Sequence, residues 1–132
     1  MKRIVVGGQI DKEEVKALVI QYGLPEYTVD VKSDLDAAMA IKTGGADYYI
    51  GACNTGGGGA LAMALALLGR DNCVTVSMPG KIMLEEEIRE SVRSGKKAFG
   101  FTAQHKNDVV PIIMDEINKI SKKLRELRWI KL

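Results

Sequence analysis

The chain has 132 residues, which suits one domain, residues 1–132, with a hydrophobic core of its own. Apolar residues make up 46% and charged residues 27%, as is usual in soluble globular proteins. The net charge of +2 is too small to indicate nucleic-acid binding. Its excess comes from a cluster of cations near the C-terminus, a pattern typical of a solvated helix end.

Five apolar runs bounded by turn residues predict five strands. They are short and mostly uncharged, as expected for strands that are buried on both faces of a parallel sheet. They cover residues 4–6, 27–31, 48–52, 73–77 and 98–102. A turn at Pro79-Gly80 follows the fourth strand.

Between the strands, helical spacing of apolar residues predicts helices. Asp11, with Glu14 reaching back, and Ser33 are the expected N-caps of the first two helices, and Gly23 ends the first. A helix over residues 60–68 is apolar on all sides, so we expect it to lie buried at the centre of the fold.

Two amphipathic helices complete the predicted pattern. One covers about residues 81–93, with Leu84, Ile88 and Val92 on its inner face. The last runs to the basic C-terminal segment, and Pro111 either kinks this helix or marks its start.

The alternation of strands and helices predicts an α/β protein. We expect a three-layer, Rossmann-like (flavodoxin-like) fold, with a five-stranded parallel sheet in the order 2-1-3-4-5 and helices on both faces. In that order the chain reverses direction between strands 1 and 3, and ligands bind beyond the carboxyl ends of such strands. Gly7, Gly8 and Gln9, which follow strand 1, are therefore candidate ligand-binding residues.

A glycine-rich loop follows the third strand. Each glycine costs about 0.5–1 kcal/mol relative to alanine in a regular element, but consecutive glycines expose backbone N–H groups and allow close approach. At a helix N-terminus such groups favour a phosphate or carboxylate. The alternative is that the glycines only permit tight packing of the next helix on the sheet. The candidate ligand-binding residues of this loop are Asn54, Thr55, Gly56, Gly57 and Gly58.

Other kinds of site are not expected. The loop lacks the Lys-Ser/Thr of a P-loop and the strand position of a dinucleotide fingerprint, so no cofactor is predicted. The cysteines, the histidine and the carboxylates show no metal-ligand spacing. The tyrosines and Trp129 are scattered, which gives no stacking platform for nucleic acid.

Cys53 is the candidate catalytic residue. It ends the third strand, where a following helix N-terminus would favour its thiolate, and a thiolate could act as a base or nucleophile. The alternative is that Cys53 is a small buried hydrophobic residue, which is the role expected for Cys73 at the opposite edge of the sheet.

Three further polar residues are expected on the same rim. His105 follows the fifth strand, where it could act as a general acid, contact a phosphate or cap a helix in solvent. Ser77 and Lys81 follow the fourth strand, and Lys81 could pair with an anion or be an ordinary surface lysine.

Cysteine usage and apolar run lengths indicate a cytoplasmic protein. The two thiols fit a reducing compartment, and the first apolar run is too short for a signal peptide. The longest uncharged run, residues 56–69, is too short to cross a bilayer, so we expect no direct membrane insertion.

Residues 47–58, with the sequence DYYIGACNTGGG, resemble the signature of the YhfU-like family of small uncharacterised bacterial proteins. The likeness extends to Ala37-Ala38-Met39, Pro79-Gly80 and Ala98-Phe99-Gly100, and it covers most of the chain apart from the basic C-terminal extension. This resemblance implies relatives but no established activity.

The glycine loop is also similar to the Cys-Gly-Thr-Gly-x-Gly loop of the RpiB/LacAB sugar-phosphate isomerases. That resemblance implies a proton-transfer base at Cys53, and it implies that Thr55 and the glycine amides after it stabilise an enediolate. The two differ after the first strand, where the isomerases carry Asp-His-Ala-Gly and this chain has Gly7-Gly8-Gln9-Ile10.

The sequence therefore predicts a soluble protein that binds a small anionic metabolite at the glycine loop, with proton transfer by Cys53 as a further expectation. The alternative function is that of a non-catalytic accessory or regulatory subunit of a membrane transporter or enzyme complex. The flanking helices would also allow a homo-oligomer.

Overall fold

The computed structural model describes residues 2–54 and 61–131 of the protein. Strands and helices alternate along these residues. The strands are β1 (Arg3–Gly8), β2 (Thr28–Val31), β3 (Tyr48–Cys53), β4 (Cys73–Thr75), β5 (Ser77–Met78), β6 (Lys81–Ile82) and β7 (Ala98–Thr102). The helices are α1 (Lys12–Tyr22), α2 (Asp34–Lys42), α3 (Ala62–Leu68), α4 (Glu85–Arg93) and α5 (Lys106–Lys131).

Within the described residues, five strands form a parallel sheet in the order β2-β1-β3-β7-β4. This confirms the predicted α/β, Rossmann-like fold with helices on both faces. The predicted order 2-1-3-4-5 is wrong at one end, because the fifth predicted strand, β7, lies between the third and the fourth. All five residues of β7 are buried, whereas β4 has three residues and two of them are half-buried. The longer apolar strand takes the inner position, and the short one forms the edge.

The helices lie on two faces of the sheet. Helices α1, α4 and α5 pack together on one, which we call the α5 face, and α2 and α3 pack together on the other, the α3 face. Crossovers through the α5 face run in one direction across the sheet, and those through the α3 face run in the other, as a constant handedness requires. The chain therefore reverses between β1 and β3, as predicted. We call the edge where the parallel strands end the carboxyl edge, and the opposite one the amino edge.

The region after β4 differs from the prediction. Strands β5 and β6 form an antiparallel hairpin around the predicted turn at Pro79-Gly80, and α4 begins at Glu85 rather than near residue 81. Gly80 has a φ of 77°, which suits a tight turn. Leu84 is 71% exposed and precedes the helix, so its predicted inner position is wrong, while Ile88 and Val92 are buried as expected.

Helix α3 is not the buried central helix that its apolar composition predicted. It begins at Ala62, and residue 60, the predicted start, lies outside the described residues. Ala64 is fully buried, but Met63 and Leu65 are 44% and 42% exposed. A helix in an outer layer packs only one of its faces against the sheet. An apolar helix in this position therefore leaves apolar side chains at the surface.

The predicted helix ends are partly confirmed. Ser33 caps α2, since its Oγ accepts a hydrogen bond from the Asp36 N–H at 3.1 Å. Asp11 is not a side-chain cap among the described contacts; it has a φ of 54°, and its carboxylate contacts Lys106 Nζ at 3.2 Å. Helix α5 starts five residues before Pro111, so this proline does not mark its start.

In the part of the chain that the structure describes, no helix combines the length and the apolar character needed to span a bilayer.

Candidate functional site

The site begins where β1 and β3 end side by side. Gly8 pairs with Ala52 in register, and the Gln9 N–H donates to the Ala52 carbonyl at 2.8 Å. Gly8 has a φ of 83°, and a Cβ there would lie 2.4 Å from the Ala52 oxygen. Only glycine fits this approach, so Gly8 is needed to bring the two strand ends together at the carboxyl edge.

Tyr49 ties three elements together beneath this edge. Its ring is fully buried. A Cβ added at Gly7 would lie 2.7 Å from this ring, and a Cβ added at Gly51 would lie 2.9 Å from it. Its hydroxyl accepts a hydrogen bond from the Gly8 N–H at 3.1 Å and donates to Asp34 Oδ1 at 3.3 Å. Burial, together with the Asp34 carboxylate, raises the pKa of Tyr49, so the phenol stays protonated. Tyr49 therefore joins β3, β1 and the start of α2.

A row of glycines crosses the middle of the sheet on the α3 face. Gly7, Gly51 and Gly100 are register partners on β1, β3 and β7. Side chains alternate along a strand, so the next pair on this face lies two residues further on. That pair is Cys53 and Thr102, which are also register partners and are 1% and 4% exposed. The structure thus places a thiol beside a hydroxyl at the carboxyl edge.

The backbone and the side chain of Thr102 differ in their hydrogen bonding. The Thr102 N–H donates to Ser77 Oγ at 3.0 Å, where β4 has already ended, so the serine hydroxyl replaces a strand carbonyl. The Thr102 Oγ1 is buried and has no hydrogen-bond partner within the described ranges. Leaving such a hydroxyl unpaired costs about 1–3 kcal/mol, which makes Oγ1 a candidate ligand contact.

The N-terminus of α5 lies at the same edge. It follows β7 through a 3₁₀ turn, Ala103–His105, and the His105 Nδ1 is buried without a hydrogen-bond partner in the described parts. Lys106 opens the helix and pairs with Asp11. Unsatisfied N–H groups and cations at a helix N-terminus favour anions, so this corner suits a negatively charged group.

The remaining sequence-predicted residues are placed as follows. Gln9 and Asn54 are exposed at the ends of β1 and β3. Lys81 is exposed on β6, where it lines a groove of about 200 Å³ with Ser77 and Glu87. Thr55, Gly56, Gly57 and Gly58 lie outside the described residues. The structure therefore brings Cys53, Ser77 and Thr102 together, and it leaves Lys81 exposed on the other strand of the hairpin that contains Ser77.

One expectation about this site changes. The helix after the glycine loop begins at Ala62 and has seven residues, so its N-terminus does not directly follow Cys53. Among the described residues, no group of His, Cys, Asp and Glu could hold a metal ion.

Sequence reasoning missed Thr102, Tyr49 and Asp34. Thr102 left one signal, because it is the polar last residue of an otherwise apolar strand, AFGFT. The roles of Tyr49 and Asp34 depend on a contact between residues 15 positions apart, which no local pattern indicates.

The comparisons with known proteins agree on the family. The model of the family "Protein of unknown function DUF2620" matches residues 2–117. Proteins named "Uncharacterized protein YhfU" from Escherichia coli K12 and from Shigella flexneri are 36% identical to this chain over 117 residues, which is 89% of this chain and 99% of theirs. No solved structure matches. The chain therefore belongs to the DUF2620 family of proteins of unknown function.

Proposed function

We propose that the carboxyl edge binds a small metabolite that carries a phosphate or carboxylate, between the ends of β3 and β7. The observation that carries this proposal is the buried Thr102 Oγ1, which lacks a partner among the described residues and lies next to Cys53. A ligand oxygen at this position would remove the cost of the unpaired hydroxyl. The reversal of the chain lies at the same carboxyl edge, one strand away between β1 and β3, and ligands of open α/β sheets bind beyond this edge.

The charge of the ligand follows from the surroundings of this edge. The N-termini of α2 and α5 both lie there, and their aligned peptide dipoles favour negative charge. At the start of α5, His105 adds a hydrogen-bonding group, and Lys106 is already paired with Asp11. The carboxylate of Asp34 is already engaged by the Tyr49 hydroxyl. These features support an anionic ligand over a cationic one.

We further propose proton transfer by Cys53, as in the sugar-phosphate isomerases that the loop sequence resembles. The thiolate would take a proton from the carbon next to a substrate carbonyl, and the electron pair would move to the carbonyl oxygen as an enediolate. Thr102 Oγ1 would donate a hydrogen bond to that oxygen. Movement of the hydroxyl proton from one enediolate oxygen to the other, and return of the carbon-bound proton from Cys53 to the former carbonyl carbon, would complete the isomerisation and regenerate the thiolate. Burial of Cys53 keeps water from the reacting atoms, although it also disfavours the thiolate form.

Ligand-dependent stability tests the binding step. Thermal unfolding would be followed with inorganic phosphate, sulfate and a panel of pentose and hexose phosphates. A ligand at a hundred times its Kd should add about 2.7 kcal/mol to the free energy of unfolding. The variant Thr102→Val should lose most of this gain, whereas Thr28→Val, an exposed control at the amino edge, should keep it. Absence of a shift with every anion would overturn the proposal.

Isotope exchange tests the catalytic step. In D₂O, the wild type should exchange the carbon-bound proton of a pentose phosphate, and Cys53→Ser should not. Cys73→Ser is the matched control, since Cys73 is also buried but lies at the amino end of β4. Exchange that persists in Cys53→Ser would exclude Cys53 as the base while leaving ligand binding intact.

A second candidate function is that of a non-catalytic subunit of a membrane transporter or enzyme complex. The observation that favours it is the exposed apolar surface of the α3 face, which includes Leu35 and Met39 of α2 and Met63 and Leu65 of α3. This surface could contact a partner subunit or a second copy. Co-purification of a stoichiometric membrane partner, lost in Met63→Lys/Leu65→Lys, without any stabilisation by anions would favour this function over metabolite binding.

A further inference from the structure

The last turns of α5 differ in charge from the rest of the chain. The family match ends at residue 117, and residues 118–132 lie beyond it. These fifteen residues contain six Lys or Arg and one Glu, whereas residues 1–117 contain thirteen basic and sixteen acidic residues. A net acidic domain thus carries a strongly basic helical extension.

The beginning of this extension is attached to the amino edge of the domain. The Asn118 side-chain amide donates to the Tyr22 carbonyl at 2.7 Å, and the Tyr27 hydroxyl donates to Ser121 Oγ at 2.8 Å. One turn later, Arg125 forms an ion pair with Glu26. These contacts fix the orientation of the helix and therefore the direction in which its apolar residues point.

A groove of about 440 Å³ lies between the extension and the amino edge. Its apolar lining comes from Leu124 and Leu127, which are 51% and 46% exposed, and from Tyr27. Its charged lining comes from Lys2, Arg125, Arg128 and Glu26, and the one carboxylate is already paired with Arg125. The groove therefore combines an apolar surface with an excess of positive charge.

We propose that this groove and the part of the basic extension that lines or flanks it, residues 118–128, form a binding surface for an anionic lipid bilayer. A helix with exposed leucines among lysines and arginines is the arrangement that adsorbs to such membranes. Each basic residue near an anionic surface contributes about 1 kcal/mol, so the charge complementarity is substantial. A second copy would bring two positive surfaces together, and nucleic acid would leave the leucines unused. The surface lies at the amino edge, so it is independent of the proposed ligand site.

Vesicle co-sedimentation of the full chain tests this proposal. We expect the protein to sediment with vesicles of phosphatidylglycerol and phosphatidylcholine, and not with pure phosphatidylcholine. Lys123→Glu/Arg128→Glu should lower the partition coefficient at least about tenfold, since two attractive charges become repulsive. The matched control Lys32→Glu/Lys81→Glu makes the same charge change at exposed positions away from the amino edge, and it should lower partitioning less than threefold.

The leucines distinguish a lipid surface from a purely electrostatic partner. Leu124→Gln/Leu127→Gln keeps every charge, and it should also lower partitioning, with circular dichroism confirming that the helix is retained. Equal sedimentation with both vesicle types, or an equal loss in the control variant, would overturn the proposal. So would binding to a DNA duplex that the leucine variant leaves unchanged, or dimerisation through this groove in solution. The variant Thr102→Val should leave vesicle binding unaltered, which separates this proposal from that of the ligand site.

Discussion

The two faces of the sheet differ in the size and polarity of the side chains that they carry. The α5 face buries large apolar side chains from the strands, such as Ile50, Phe99 and Phe101, against α1, α4 and α5. The α3 face has glycines in the corresponding central row, one large buried ring at Tyr49, and the polar pair Cys53 and Thr102 near the carboxyl edge. The α5 face is therefore packed by large apolar side chains, whereas the α3 face packs the Tyr49 ring over glycines and carries a polar pair at the carboxyl edge.

The α5 face also contains a buried ionic cluster. The Glu116 carboxylate is 2% exposed and accepts hydrogen bonds from Arg89 at 2.9 Å and from Lys119 at 3.2 Å. Arg89 also contacts Asp115 at 2.6 Å, so it joins α4 to α5. Burial opposes ionisation of Glu116, but the hydrogen bonds from Arg89 and Lys119 outweigh it and lower the pKa of Glu116. On this face, charged side chains therefore hold α4 against α5.

The largest expected effect comes from closing the approach of β1 to β3. Gly8→Ala should lower the free energy of unfolding by about 3–5 kcal/mol, since it adds left-handed strain to a backbone clash. Gly44→Ala is the matched control, because Gly44 has a φ of 81° but nothing within 4 Å of its Cβ position. It should cost only the strain, about 1–2 kcal/mol, in the same urea titration. Equal costs would show that the strand approach is looser than the structure indicates.

Next in size is the ionic cluster of the α5 face. Glu116→Gln should cost about 1.5–3 kcal/mol, the usual worth of a hydrogen bond to a charged group. Urea denaturation at pH 7 measures it. Leu124→Gln, further along α5 and half-exposed, is a control on the same helix and should cost less. If Glu116→Gln left the free energy of unfolding unchanged, the cluster would contribute nothing to the packing of α4 on α5.

The same cluster predicts the acid dependence of stability. The hydrogen bond from Arg89, opposed by burial, lowers the pKa of Asp115, and the pKa of Glu116 is lowered as well. The unfolded chain therefore binds more protons than the folded one below the ordinary carboxylate pKa of about 4. Stability from this cluster is present at neutral pH and is lost as pH falls through the lowered folded values. Unfolding free energy measured from pH 7 to pH 2 should fall less steeply in Glu116→Gln than in the wild type.

A smaller loss is expected on the α3 face from Tyr49→Phe. Removing the hydroxyl leaves the buried Gly8 N–H without its acceptor and frees Asp34, at a cost of about 1–2 kcal/mol. Calorimetry measures the change. Tyr22→Phe, on an exposed side chain of α1, is the control and should be close to neutral. An unaffected Tyr49→Phe would contradict the role of this hydroxyl in joining β1, β3 and α2.

The smallest effect has the opposite sign. Without ligand, Thr102→Val should raise the free energy of unfolding by about 1 kcal/mol, because a methyl group replaces an unpaired buried hydroxyl. Ser77→Ala is the comparison variant with the opposite expected sign. It removes the acceptor of the Thr102 N–H and should destabilise the protein. A loss of stability in Thr102→Val would show that its hydroxyl is satisfied inside the protein.

The sequence was sufficient for features that depend on local chemistry. Alternating apolar runs predicted the three-layer fold, and Ser33 and Gly23 marked helix ends where the structure has them. The order of the last two strands could not be predicted in this way, because it depends on which strand, β4 or β7, better fills the inner position. The exposure of one side of α3 could not be predicted for a related reason, since apolar composition does not indicate which layer a helix occupies.

The sequence predicted the location of the candidate site better than the residues that form it. The carboxyl edge beside β1 and β3 followed from the chain reversal, and Cys53 lies there as expected. Thr102 beside it depends on β7 being the neighbour of β3, which the predicted strand order did not contain. The anion-binding role of residues 55–58 stays a prediction.

The most direct test of the central claim is a crystal structure of the protein soaked with a pentose phosphate, with sulfate as a second soak. We expect a ligand oxygen within about 3 Å of Thr102 Oγ1, beside the Cys53 thiol at the carboxyl edge. A Thr102 hydroxyl that bonds to a protein group in that structure, or ligand density confined to other surfaces, would contradict the claim that the α3 face carries the site.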